Sequence, residues 1–212
     1  MHAVLFDLDG VLTNTVPLHY AASKKAASLA GVPFSKADNE RWQGRSRKEL
    51  MEFLIAENPD TPWTAEELGE IKNKRYQELI QELSAADILP GMKELLQTLN
   101  DRDIPCVLCS SSSNALEVIE KLKLKDHFHA VIPAADTKAM KPHPDIFLKG
   151  AEAVSCRPEN SVGIEDSISG VEALKRAGIP SIGVGSGGRE ADVSVKRTKD
   201  VTIGLICDFW KK

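Results

Sequence analysis

Five short apolar runs, each bounded by turn residues, restrict the fold of this chain more than any other feature of its sequence. The runs are residues 3–6, 104–109, 130–132, 161–164 and 181–184. Their apolarity is continuous rather than alternating, which is typical of strands buried on both faces of a parallel sheet. Helical patterns separate the later runs. This order predicts an α/β fold with a doubly wound, three-layer Rossmann-like core.

The stretch between the first and second runs departs from this order, because it contains helical signals and no convincing strand. Two capping boxes, S-R-K-E at 46–49 and T-A-E-E at 64–67, open helices there. Loops between strands and helices are usually short in α/β folds, so an insertion of this length indicates a separate helical domain. We predict a core of residues 1–14 and 88–212, with a helical cap inserted at residues 15–87.

Charge, hydropathy and cysteine content exclude several classes of protein. The net charge is −4, without the basic excess of nucleic-acid-binding proteins, so we expect no nucleic-acid partner. No apolar stretch approaches the roughly 18 residues of a membrane span. Strand-like sequence begins at Ala3 and leaves no room for a signal peptide, so we expect a cytoplasmic protein without a membrane partner. The C-x-x-C pair Cys106 and Cys109 lies in an apolar run and is expected to be buried and structural.

Polar residues follow the predicted strands, at the sheet edge where open α/β folds bind ligands. Two close carboxylates share a cation or have separated pKa values, and a hydroxyl-rich turn at a helix start suits an anion. Each motif alone is equally compatible with a helix cap or a solvated loop. Four of them in this order indicate an active site. They are Asp7 with Asp9, Ser110 to Asn114, Lys141 before Pro142, and Glu165 with Asp166.

These motifs resemble those of the haloacid dehalogenase superfamily, which has D-x-D after the first strand and G-x-E-D-S after a later one. Here the sequences are D-L-D-G-V at 7–11 and G-I-E-D-S at 163–167. The resemblance implies that Asp7 is the nucleophile, that Asp9 is the general acid/base, and that the transferring phosphoryl group is held by Ser110 and Lys141. It also implies a Mg²⁺ site formed by Asp7, the backbone carbonyl of Asp9, Glu165 and Asp166.

The helical stretch resembles the cap of the sugar-phosphate mutases within that superfamily. Those enzymes have T, H, G-x-S-R and K-N where this chain has Thr15, His19, G-R-S-R at 44–47 and K-N at 72–73. Phosphatases of the superfamily share the core motifs, so the cap motifs discriminate better. The resemblance implies that a phosphorylated sugar is bound by Thr15, His19, Trp42, Gly44, Arg45, Ser46, Arg47, Lys72, Ser111, Ser112 and Asn114.

The activity implied by the resemblance is isomerisation of β-D-glucose 1-phosphate to glucose 6-phosphate. It proceeds through β-glucose 1,6-bisphosphate, which also primes the enzyme, and an aspartyl phosphate. A sugar-phosphate phosphatase with a looser cap is the alternative. A phospho-acceptor receiver module is a third class, but receivers lack a helical insertion. We expect a monomer, because an internal cap acts within one chain.

Several positions depart from the mutase pattern. Ser113 stands where that pattern has a lysine for the second phosphate, and Arg45 is a hypothetical replacement for the lost charge. Ser23 stands where the mutase pattern has an aromatic residue, and Trp42 stands where it has a smaller apolar residue. Asn14 stands in place of an aspartate. These departures concern substrate preference more than the chemistry.

Overall fold

The computed structural model describes residues 1–42, 45–132 and 134–211. The chain divides into two compact units. Unit 1 consists of residues 1–14 and 84–212, and unit 2 consists of residues 15–83. The interpretation of the helical insertion as a cap over the core stays a prediction.

Unit 1 is built on a parallel sheet that has six strands in the described residues. In chain order they are β1 (Ala3–Phe6), β2 (Cys106–Cys109), β3 (Ala130–Ile132), β4 (Ser161–Glu165), β5 (Ser181–Val184) and β6 (Val193–Val195). Their order across the sheet is β3-β2-β1-β4-β5-β6, and every neighbouring pair is parallel. The order reverses at β1, so β2 and β4 flank it, and such a switch point opens a crevice beyond the strand ends. The sheet confirms the predicted doubly wound α/β class.

Nine α-helices lie in the described ranges. In unit 2 they are α1 (Val16–Leu29), α2 (Lys36–Trp42), α3 (Arg47–Glu57) and α4 (Ala65–Ile80). In unit 1 they are α5 (Met92–Asn100), α6 (Ala115–Lys121), α7 (Asp145–Ala153), α8 (Ile168–Ala177) and α9 (Ile203–Phe209). None of these helices is both long and apolar enough to cross a membrane.

Small residues allow two helices of unit 1 to approach the sheet closely. A Cβ on Gly150 of α7 would lie 2.6 Å from Sγ of Cys109 in β2, so any larger residue would push the helix away. Gly163 of β4 similarly leaves space for Leu174 of α8. The thiols of Cys106 and Cys109 are buried and free, and burial raises the pKa of Cys106 to about 12. Both therefore serve as packing residues.

The sequence interpretation was wrong at two places in the sheet. β2 begins at Cys106 rather than at residue 104, because Pro105 has no N–H for the ladder. β6 was not predicted, since it has only three residues and its partly exposed position at the sheet edge gives it no continuous apolar run. Residues 185–192 connect β5 to β6.

Unit 2 contains α1 to α4, of which α1 packs on α4 and α3 packs on α4. Its core is apolar and lies between these helices. Both predicted capping boxes are present, because Ser46 caps α3 by accepting from the N–H of Glu49 and Thr64 caps α4 by accepting from the N–H of Glu67. Each such cap contributes about 1 kcal/mol to helix stability.

Candidate active site

Three carboxylates from two neighbouring strands meet at the carboxyl edge of the sheet. Asp7 directly follows β1, Glu165 is the last residue of β4, and Asp166 follows it. The β1–β4 register pairs Phe6 with Ile164, which brings Asp7 level with Glu165. One carboxylate oxygen from each of the three acids lies within 4.8 Å of the others. The structure thus brings together three of the four predicted metal-binding residues through their side chains.

Lys141 inserts its ammonium group between two of these carboxylates. Its Nζ donates to Oδ1 of Asp7 at 2.5 Å and to Oε2 of Glu165 at 2.7 Å. The side chain is only 1% exposed, and Nζ lies 4.8 Å above the ring centroid of Phe147. Phe147 was not among the predicted site residues, because a phenylalanine on an apolar helix face gives no functional signal. A single buried ammonium leaves this group of three carboxylates with excess negative charge.

The ionisation of the site reflects this excess. Burial, followed by the charge of Glu165, raises the pKa of Asp7 to about 8, although Lys141 acts in the opposite direction. Burial and the neighbouring carboxylates also raise the pKa of Asp166 well above its usual value. Burial opposes the charge on Lys141, but Asp7 and Glu165 outweigh it and raise the pKa of Lys141. The site therefore holds less positive charge than its carboxylates require.

The residues present fit a divalent cation such as Mg²⁺. Carboxylate oxygens are the hard ligands that Mg²⁺ prefers, and a cation would supply the missing positive charge. Gly10 allows the carboxylate of Asp166 to lie directly against its backbone, because a Cβ there would overlap that carboxylate, and its φ of +80° also favours glycine. Participation of the Asp9 carbonyl stays a prediction.

Glu165 is oriented by the first turn of α8. Its Oε1 accepts hydrogen bonds from the N–H of Asp166 at 3.1 Å and from the N–H and hydroxyl of Ser167 at 3.0 and 2.9 Å. Ser167 also caps α8 by accepting from the N–H of Gly170. A Cβ on Gly170 would overlap the carboxylate of Glu165. Ser167 and Gly170 were not among the predicted site residues, because a serine or a glycine at the start of a helix is equally compatible with a simple cap.

The loop between β2 and α6 presents consecutive hydroxyl groups. Ser110 is 1% exposed, and its Oγ accepts from the N–H of Ser112 at 3.1 Å. The Oγ of Ser112 in turn accepts from the N–H of Asn114 at 3.2 Å. A hydroxyl that accepts one hydrogen bond can still donate its own proton, so this loop is chemically suited to bind an anion. The Oγ of Ser111 is buried and has no hydrogen-bond partner within the described part of the chain.

Asp9 lies in the turn that follows β1, two residues beyond Asp7. The turn is closed by a hydrogen bond from the N–H of Gly10 to the carbonyl of Thr13 at 2.8 Å. Thr13 also donates through its hydroxyl to the carbonyl of Asp87 at 2.9 Å. Asp9 thus lies in a hydrogen-bonded turn that directly follows Asp7.

Three predicted substrate-binding residues of unit 2 lie near α1 and α4. Thr15 precedes α1, His19 lies on α1, and Lys72 lies on α4. Thr15 is buried and precedes α1, where its carbonyl accepts from the N–H groups of Leu18 and His19. The ring of His19 stacks on that of Tyr76, with centroids 4.1 Å apart. Lys72 lies one helical turn before Tyr76 on α4.

The other candidates of unit 2 lie around the start of α3. The guanidinium of Arg45 stands 5.5 Å above the ring centroid of Trp42, and both Arg45 and Arg47 are exposed. The hydroxyl of Ser46 donates to Oε2 of Glu49 at 2.6 Å as part of the helix cap, so its contact with a substrate stays a prediction. Gly44 lies outside the described residues.

Comparisons with known proteins agree with this geometry. A family model described as haloacid dehalogenase-like hydrolase matches residues 1–178. A β-phosphoglucomutase of Bacillus subtilis (strain 168) is 39% identical over 218 residues, covering 100% of this chain and 96% of that protein. A phosphorylated carbohydrates phosphatase of Thermotoga maritima is 34% identical over 188 residues, covering 86% and 84% of the two chains. A crystal structure of β-phosphoglucomutase from Clostridium difficile matches with a TM-score of 0.93 and 34% identity, covering 100% and 97%.

Proposed function

The chain belongs to the haloacid dehalogenase-like hydrolase family, and from this premise we propose that it interconverts β-D-glucose 1-phosphate and glucose 6-phosphate. The observation that carries the proposal is the full-length similarity to β-phosphoglucomutases, which includes the helical unit and not only the core motifs. The core alone would equally suit a phosphatase.

The proposed reaction uses Asp7 as its nucleophile. One oxygen of the Asp7 carboxylate attacks phosphorus, and the bond from phosphorus to the sugar oxygen breaks, which leaves an aspartyl phosphate and a sugar hydroxyl. Lys141 and Ser110 hold the phosphoryl oxygens, because phosphoryl transfer depends mainly on positioning and charge compensation. Mg²⁺, when bound by Asp7, Glu165 and Asp166, reduces the repulsion between the carboxylate and the phosphoryl group.

Asp9 moves the proton that the reaction requires. When phosphate is transferred to Asp7, the carboxyl group of Asp9 donates its proton to the departing sugar oxygen. When the sugar is phosphorylated at the other position, the Asp9 carboxylate takes the proton from the attacking hydroxyl. The two steps conserve the proton, and β-glucose 1,6-bisphosphate both primes the enzyme and is regenerated.

Unit 2 supplies the groups that recognise the sugar and its second phosphate. Arg47 carries a planar guanidinium suited to bidentate phosphate binding, with Ser112 and Asn114 as further ligands. Unit 2 acts as a lid that excludes water, so that the aspartyl phosphate reacts with the sugar rather than being hydrolysed. As a second candidate, a sugar-phosphate phosphatase is favoured by the similarity to the Thermotoga maritima phosphatase.

An assay that measures both products distinguishes these functions. The protein is incubated with Mg²⁺, β-glucose 1-phosphate and a trace of the 1,6-bisphosphate, and glucose 6-phosphate and free phosphate are followed in parallel. We expect glucose 6-phosphate to form much faster than phosphate, and neither to form with Asp7→Asn. Faster release of phosphate would support the phosphatase, and equal rates with Asp7→Asn would contradict the assignment of the nucleophile.

The metal is tested by thermal unfolding as well as by activity. We expect millimolar Mg²⁺ to raise the unfolding temperature of the protein in the absence of substrate, since a ligand that binds only the folded state stabilises it. Asp166→Asn should reduce this rise. An equal rise in the variant would place the metal elsewhere.

We also propose that the protein is monomeric, which sedimentation equilibrium tests directly.

A further inference from the structure

A stacked pair of rings, His19 and Tyr76, connects α1 and α4 of unit 2. The ring centroids are 4.1 Å apart and the planes differ by 15°. Tyr76 is only 1% exposed, whereas His19 is half-buried. The tyrosine is therefore buried, and one face of the imidazole stacks on its ring. The edge of the imidazole, which carries both nitrogens, is not used by the stack.

The same helix also carries Lys72, four residues before Tyr76. Side chains four residues apart lie on one face of an α-helix. His19 on α1 and Lys72 on α4 are both candidates for contact with the phosphorylated sugar. The ring of Tyr76 therefore connects the histidine to the helix face that presents the lysine.

We propose that Tyr76 is a positioning residue, whose ring sets the orientation of the His19 imidazole and keeps it aligned with Lys72. The proposal rests on the proposed function, because it requires His19 to act on the phosphorylated sugar. A buried stacking partner removes rotational freedom from the imidazole before the substrate binds. Less conformational freedom is then lost in reaching the reactive complex.

A second aromatic pair in unit 2 provides a matched comparison. Tyr20 follows His19 on α1 and stacks on Phe34, with centroids 6.3 Å apart and planes 21° apart. That pair packs in the apolar core of unit 2. Removing the ring of Tyr20 tests the cost of losing a stacked tyrosine from the unit. Removing the ring of Tyr76 has a similar cost and, in addition, any effect on catalysis that is transmitted through His19.

The experiment is a double-mutant cycle on the complete protein. The value of kcat/KM for glucose 6-phosphate formation and the unfolding temperature are measured for Tyr76→Leu and Tyr20→Leu in the wild-type and His19→Ala backgrounds. Tyr76→Phe, which keeps the stacked ring, serves as the conservative variant. We expect Tyr76→Leu to lower kcat/KM roughly three- to tenfold, the range that corresponds to an aromatic pair. We expect Tyr76→Phe to retain more activity than Tyr76→Leu, and changes of less than about twofold for Tyr20→Leu and for Tyr76→Leu added to His19→Ala.

The proposal is overturned if Tyr76→Leu lowers kcat/KM by the same factor in both backgrounds, or if Tyr20→Leu lowers it equally. It is also overturned if His19→Ala retains full mutase activity, an outcome that leaves the proposed function intact. Release of phosphate as the main product contradicts the proposed function itself, and the cycle is then measured on that activity. If Tyr76→Leu fails to fold, Tyr76→Met replaces it, because methionine fills irregular space without a ring. Absence of an upfield ring-current shift on the imidazole protons of the wild type would contradict the stack.

Discussion

Asp7, Lys141 and Glu165 of unit 1 are buried and paired, whereas Arg45 and Arg47 of unit 2 are exposed. The side chains of Lys141 and Glu165 are each 1% exposed and in direct contact, and the carboxylate of Asp166 lies against the backbone of Gly10. Arg47 instead extends from the first turn of α3 into solvent. A buried group keeps its geometry without a ligand but leaves any charge imbalance in the folded protein, while an exposed group costs little and acquires its geometry on binding. The buried cluster of unit 1 is thus preorganised at a cost in charge imbalance, whereas the exposed arginines of unit 2 are ordered only when a ligand binds.

The largest effect is expected from Lys141→Met, which removes the buried ammonium and nearly preserves the shape of the side chain. Three carboxylates then lose the positive charge that separates two of them. Removal of one partner of a buried ion pair typically costs about 3–5 kcal/mol of folding stability. We expect mutase activity to fall by about a thousandfold or more, since a phosphoryl contact is also lost. Chemical denaturation and the product assay measure the two effects, and unchanged stability would mean that the pair is not buried in solution.

Arg47→Met is the corresponding change in unit 2. The guanidinium is exposed, so we expect the unfolding temperature to change by less than about 1 °C. The value of kcat/KM should fall by roughly ten- to a hundredfold, in line with the loss of a charged hydrogen bond to phosphate. Lys48→Met is the control, because Lys48 is also exposed on α3 and pairs with Glu52 at 3.7 Å. Equal effects of the two variants would mean that Arg47 contributes only positive charge and makes no specific contact with phosphate.

Gly170→Ala tests whether close packing holds the carboxylates of unit 1. The new Cβ would overlap the carboxylate of Glu165, which cannot move away without breaking its hydrogen bonds to Ser167. We expect a stability loss of about 1–3 kcal/mol, typical of overpacking, together with a weaker response to Mg²⁺. Gly204→Ala on α9 is the control, since the nearest atom to its Cβ would be 3.7 Å away. Gly204→Ala should be neutral or slightly stabilising.

The smallest effect is expected from Gly69→Ala on α4. A Cβ there would lie 3.7 Å from Met51 and 3.9 Å from Cδ of Arg47, which are ordinary contact distances. Replacement of glycine by alanine within a helix stabilises it by about 0.5–1 kcal/mol. We expect this gain in a denaturation experiment with unchanged kcat/KM. A fall in kcat/KM would indicate that the stem of Arg47 must move across Gly69 during the reaction.

The sequence allowed most of the sheet to be predicted, because four of the five apolar runs match the observed strands to within one residue at both ends. The approach of Asp7 to Glu165 followed from the rule that parallel strands end at one edge. The tight contact of Gly170 with Glu165 could not be predicted, since a single glycine in a helical pattern is compatible with many surroundings. The stack of His19 on Tyr76 was equally hidden, because it depends on how two helices pack.

The pairing of β1 with β4 also determines when the site can form during protein synthesis. Residues 3–6 can pair with β2 once residues 106–108 have been synthesised, but their pairing with residues 161–164 must wait until most of the chain has left the ribosome. Unit 2 is continuous from residue 15 to residue 83, and all of its internal contacts are available much earlier. Contacts distant in sequence form late and slowly. Lys141 leaves the ribosome before Glu165, so the ammonium group that separates the carboxylates of Asp7 and Glu165 is already available when the two strands pair.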